Sequence, residues 1–133
     1  MFDYILRNSD FAQEFYRACL RALNIISLPA AIKLDLLLME LASQQSPLAE
    51  QFYQASHAKL EAVWHDFFAL AQHYQFIQVD RPEKQTELIV SLLTGIRHQK
   101  ILLGLTAPPS STEQQQIISQ AIELFMLKYG ISG

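Results

Sequence analysis

Between Leu88 and Leu105 the chain carries only two formal charges, on Arg97 and Lys100, in a stretch that otherwise reads as one long helix. The start of this helix is well marked. Asp80 can cap it, Pro82 falls in the first turn where its missing N–H costs nothing, and Glu83 stands three residues after the cap, placed to return the bond. Its centre, Leu92-Leu93-Thr94-Gly95-Ile96-Arg97-His98-Gln99, is largely apolar and holds a glycine. A rod this poor in charge must be covered on more than one side, so it constrains the fold to helical packing and asks for a partner as well as a core.

Periodicity and capping residues predict four further helices. Asp10 opens one that runs to about Ser27, with Phe11, Phe15, Ala18, Ala22 and Ile25 on one face. Ser27 caps the next, with Pro29 in its first turn. That helix runs to about Ser43, and its apolar stretch from Ile32 to Leu41 leaves no clear polar face, which predicts burial in the middle of a bundle. Ser46-Pro47 opens the longest helix, 47–76, which at ~1.5 Å per residue spans roughly 45 Å and reads as a spine. Ser111 or Thr112 caps the last, with Gln114 or Gln115 as return partner. It ends at Tyr129, where Gly130 suits a left-handed residue and Ile131 can fold back onto the last turn. No stretch alternates long enough to read as a strand. The expected class is all-α, a bundle of about five main helices.

Half of the 133 residues are hydrophobic and 17% are charged, against about 25% in ordinary domains, so part of the surface is expected to be covered. The length fits one domain. Net charge is −3, and the ten basic residues form no run. Phosphate binding needs clustered Lys and Arg, so this chain alone is a poor nucleic-acid binder. Cys19 is the single cysteine, which excludes an intrachain disulfide and fits a reducing compartment. Met1-Phe2-Asp3-Tyr4 has no signal-peptide pattern, and Ile32–Leu41 is too short and too interrupted by charge to span a bilayer. A cytoplasmic location with no membrane partner is expected.

The last two helices share a makeup of leucine and isoleucine with uncharged polar residues. Two such helices meeting their copies across a twofold axis would form a four-helix interface. Leu92, Ile96, Gln99 and Leu103 on the first, and Ile117, Ile118, Ala121 and Phe125 on the second, are the residues expected there.

Taken in order, five elements resemble the C-terminal domain of TetR-family transcriptional regulators, over nearly the whole chain. They are Leu36-Leu37-Leu38-Met39-Glu40-Leu41-Ala42, Pro47-Leu48-Ala49-Glu50-Gln51-Phe52-Tyr53, the long helix through Trp64, Asp80-Arg81-Pro82-Glu83, and Leu92-Leu93-Thr94-Gly95-Ile96. Met1-Phe2-Asp3-Tyr4-Ile5-Leu6 resembles the tail of the helix that in this family joins a DNA-binding helix-turn-helix to the sensing domain. The helix-turn-helix itself is not in the sequence. On this resemblance residues 1–9 are a linker-helix remnant and 10–133 the ligand-binding and dimerisation domain. It implies a homodimer that binds a small effector among its helices, with DNA a partner only through the missing N-terminal domain. With few charges to greet an ionic ligand, an apolar or amphipathic molecule is expected. The rival is a lone helical module that works by dimerisation without ligand or DNA.

Trp64, Phe67, Phe68 and Phe52 give the spine an aromatic face, and both a pocket wall and ordinary core remain open for it. Cys19, Tyr53, His57, Arg97 and His98 are candidates for the few polar groups such a pocket needs. The residues expected at the ligand are Cys19, Leu23, Leu37, Phe52, Tyr53, Trp64, Phe67 and His98. His57, Glu61 and His65, four apart in turn, could pair around a metal, but His57 and His65 lie ~12 Å apart by helix rise. A solvated or partner-facing edge is the simpler reading. There is no glycine-rich phosphate loop, no nucleophile with a base and no Glu-x-x-His pair, so neither enzyme activity nor a cofactor or metal is expected.

Overall fold

A computed structural model describes Ile5 and residues 10–131. The expected linker remnant, 1–9, lies outside the described residues except for Ile5, which is buried against the core. Seven helices follow in order: α1 (Phe11–Ile26), α2 (Pro29–Ser43), α3 (Leu48–Ala55), α4 (His57–His73), α5 (Pro82–Leu93), α6 (Gly95–Leu102) and α7 (Ser111–Tyr129). Among the described residues there is no strand, only an isolated antiparallel bridge between Ile77 and Gly130. The all-α class holds. The five expected runs become seven helices because two of them are broken.

The breaks have a common chemistry. The expected spine is interrupted at Ser56, whose hydroxyl donates to the Phe52 carbonyl at 2.7 Å. The expected 82–105 rod is interrupted at Thr94, whose hydroxyl donates to the Val90 carbonyl at 2.8 Å. A hydroxyl that bonds the carbonyl four residues back competes with the helix ladder and bends it. At the second break Gly95 takes φ +60°, a conformation that a side chain strains. Ser27 acts likewise on the Leu23 carbonyl at 2.7 Å. It therefore closes α1 instead of capping α2, whose cap position is Leu28 without a side-chain bond.

The other expected caps fare differently from one another. Asp10 does cap α1, accepting from the Gln13 N–H at 3.2 Å. α7 starts one residue early, at a reciprocal box in which Ser110 Oγ accepts from the Glu113 N–H and the Glu113 carboxylate accepts from the Ser110 N–H. Asp80 does not cap α5. Its carboxylate is taken by the Arg81 N–H (2.8 Å) and the Tyr129 hydroxyl (2.7 Å), so it ties the α4–α5 connection to the end of α7. Gly130 is not left-handed, its φ being −65°. A Cβ there would lie 2.5 Å from the Met126 carbonyl oxygen, so close backbone approach is what calls for glycine. Ile131 is exposed and does not fold back.

The core sits between α1, α4, α5 and α7. Phe15 is its hub, with ring centroids 5.1 Å from Phe125, 5.8 Å from Phe67 and 5.9 Å from Phe68. Phe68 stacks on Phe125 at 5.1 Å. Full burial of each such ring contributes roughly 1.5–3 kcal/mol. Gln85, fully buried, is met: it accepts from Gln72 Nε2 at 2.6 Å and donates to the Gln78 carbonyl at 3.1 Å.

Against expectation, α2 is not central. It has no buried residue, and Leu36, Leu37 and Met39 are exposed. α3 has none either. α2 packs mainly on α3, and α3 on both α2 and α4; together they form an outer layer, with α2 bent away from α1 by 65°. No single helix among the described residues is long and apolar enough to cross a membrane.

Candidate functional site

Between the α1–α4–α5 wall and this outer layer the packing leaves space. A cavity of about 150 Å³ is enclosed by Ala22, Ile25 and Ile26 of α1, Leu60, Val63 and Trp64 of α4, and Val90 and Leu93 of α5. Its lining is apolar except for His57, Glu61 and Thr94. It adjoins a more open groove of about 740 Å³, walled by Asp35, Leu38 and Met39 of α2, Tyr53 of α3 and Ile96, His98, Gln99 and Leu102 of α6. The cavity and the groove share Ile26, His57, Val90 and Thr94, so they are continuous.

The helix breaks place the polar groups at this site. By starting α4 afresh at His57, the Ser56 break brings the imidazole to α2, where Nε2 lies 2.6 Å from Asp35 Oδ1. The Thr94-Gly95 break starts α6 and carries His98 to the same carboxylate, Nε2 to Oδ2 at 3.7 Å. Asp35 thus sits between two histidines from different helices. Tyr53 stacks on His57, with centroids 5.3 Å apart, and its hydroxyl donates to Glu61. That hydrogen bond, with some burial and the carboxylate's charge, pushes the phenol up to about 12. Among the described residues no group of three or more His, Cys, Asp or Glu is placed to hold a metal ion.

The expected ligand residues divide three ways. Trp64 lines the cavity, and Tyr53 and His98 line the groove. Cys19, Leu23 and Phe67 are buried in the core and line neither. Burial pushes the Cys19 thiol well up, which leaves it inert as a nucleophile. Leu37 and Phe52 are exposed and also line neither. Asp35 was missed at the sequence level, although a carboxylate in an apolar helix carries the same signal as Arg97 and His98: such a charge needs a partner. Arg97 itself reaches back to the Leu93 carbonyl at 3.5 Å, over the break.

The expected interface residues also divide. Ile96 and Leu103 are 72% and 70% exposed, Gln99 is exposed and Leu92 is half-buried. Ile117, Ile118, Ala121 and Phe125 are instead taken up by the core of the protomer. The outward side of α7 is the one that carries Gln116, Gln120, Leu124 and Leu127. The 19-residue helix presents the stripe three and four residues apart to Phe15 and Phe68, which fixes the opposite stripe outward.

Three comparisons bear on the family. A family model described as the C-terminal domain of AefR-like transcriptional repressors matches residues 9–131. No curated protein matches. A crystal structure from Mesorhizobium loti MAFF303099, described as a TetR-family transcriptional regulator, is similar in fold at a TM-score of 0.80 and 15% identity. The match covers 97% of this chain and 61% of that one, so this chain spans about three fifths of its length. With the match over 9–131, the chain belongs to the family of C-terminal domains of AefR-like transcriptional repressors.

Proposed function

We propose that this domain senses a small apolar or amphipathic effector and holds its parent regulator as a homodimer. It acts as a binding module and not as an enzyme, and DNA is engaged by a separate N-terminal domain of the parent protein. The effector sits in the cavity between α1, α4 and α5, and the outward faces of α6 and α7 form the four-helix contact between copies. The observation that carries the reading is the apolar cavity itself, opening onto a groove whose outer wall, α2 and α3, has no buried side chain. An occupant that fills this space favours one position of the outer wall over another, which is what a sensor requires. Support for the contact comes from Ile96, Leu103, Leu105 and Leu127, each at least 70% exposed.

Two measurements test it. Trp64 lines the cavity, so its emission should shift as phenylbutanol is titrated, with a rise in melting temperature. Sedimentation should give a dimer for the wild type and single copies, with unchanged helical content, for Ile96→Glu. A dimer that binds no apolar probe favours the lone dimerisation module. A single-copy wild type removes the homodimer.

A further inference from the structure

The cavity and the hollows beside it share one chemical bias. A third hollow, about 430 Å³, runs on from the cavity between α4 and α5. None of the residues lining these three spaces is Lys or Arg, whereas Asp35, Glu61, Glu83 and Glu87 all line one or two of them. Glu61 stands where the apolar cavity meets the third hollow and lines both. Among the described residues its carboxylate is met by the neutral Tyr53 hydroxyl and by no basic side chain.

A second observation comes from Thr86. It lines the third hollow and is 3% exposed, and its Oγ1 has no hydrogen-bond partner among the described residues. A buried hydroxyl oxygen can accept from an N–H, and leaving it unmet is unfavourable. A carboxylate ligand would meet Glu61, Glu83 and Glu87 along this wall, against His65 as the one group there able to carry positive charge. A neutral apolar body would leave the Glu61 charge uncancelled.

We propose that the effector is an organic cation, an ammonium group on an aromatic or alkyl body, with the body in the apolar cavity and the N–H donors between Glu61 and Thr86. This rests on the effector-binding reading above and names its ligand class. An apolar cavity of about 150 Å³ holds roughly one benzene ring, so an arylalkyl ammonium fits the inner chamber. The charge-assisted bond to Glu61 then orients it.

Calorimetry at fixed ionic strength with phenylbutylammonium, phenylbutanol and phenylbutanoate tests this. The ammonium should bind about tenfold more tightly than the alcohol, and the carboxylate most weakly. Glu61→Gln should bring the ammonium down to the level of the alcohol without moving the alcohol. Asp66→Asn, on the exposed side of α4 and away from all three spaces, should change neither. Equal binding of ammonium and alcohol to the wild type, or an ammonium advantage that survives Glu61→Gln, overturns the cation assignment while the effector reading stands. Failure of all three probes to bind overturns both.

Discussion

The inner wall and the outer layer of this domain are made of similar residues and behave differently. α1, α4, α5 and α7 bury Phe15, Phe68, Ile89, Ile118 and Phe125 completely. α2, the most apolar of these helices in average composition, buries nothing. Apolar content alone therefore does not decide burial in this chain. What decides it is whether a helix has neighbours on more than one side, and α2 has α3 on one side with slight contact to α1 and α6. The same difference opens the cavity, because a wall with rings locked edge to face cannot collapse onto a layer that is held at few points.

The largest expected effect separates the two regions directly. Phe125→Ala removes a ring touching Phe15, Phe68 and Tyr129 and should cost about 3–5 kcal/mol in urea unfolding. Met39→Ala on α2 should stay within about 0.5 kcal/mol. Equal losses would mean that the outer layer is as tightly packed as the core. Next in size is Gly130→Ala, which forces the Met126 carbonyl away from a Cβ at 2.5 Å and should cost about 1–3 kcal/mol, read in the same assay.

A smaller effect concerns pH. The hydrogen bond from Tyr129, then that from the Arg81 N–H, holds the Asp80 carboxyl below its ordinary range. A lowered folded value means stability that is present above the unfolded carboxylate range and lost as pH falls through the folded one. Burial, then the bond to Asp80, pushes Tyr129 up to about 12. A raised tyrosine contributes stability below its ordinary value of about 10 that is lost as pH rises toward 12. Tyr129→Phe should therefore give a flatter profile on both limbs of the denaturation midpoint against pH. An unchanged acid limb would break the assigned link between Asp80 and the end of α7. Smallest is Asp35→Ala, which frees α2 from His57 and His98 and should speed amide exchange in α2 without moving the global midpoint.

Much of the fold is legible in the sequence, and the parts that are not have a physical explanation. Asp10 capping α1 and the last helix ending at Tyr129 follow from local chemistry, which sequence reports well. Ser56 and Thr94 look like ordinary helix residues until their hydroxyls are known to bond four residues back, and only Gly95 hints at the second break. α7 shows why an interface is harder to read than a helix. Near its end apolar residues fall on both sides, and the choice of Phe125 for the core over Leu124 for the surface depends on Phe15 lying opposite. The site was legible only where one residue's own character demands a neighbour, as with Trp64, Tyr53 and His98. Its remaining apolar lining, such as Ala22 and Val90, carries no mark that separates it from core.

Hydrogen exchange resolved along the chain, with and without phenylbutanol or its ammonium counterpart, puts the contrast between inner wall and outer layer to the most direct trial. Amides of α2 and α3 should exchange well ahead of those in α1, α4 and α7 when free, and slow on addition of the probe while α7 stays as it was. Protection in α2 and α3 equal to that of the core, and indifferent to either probe, would contradict the account.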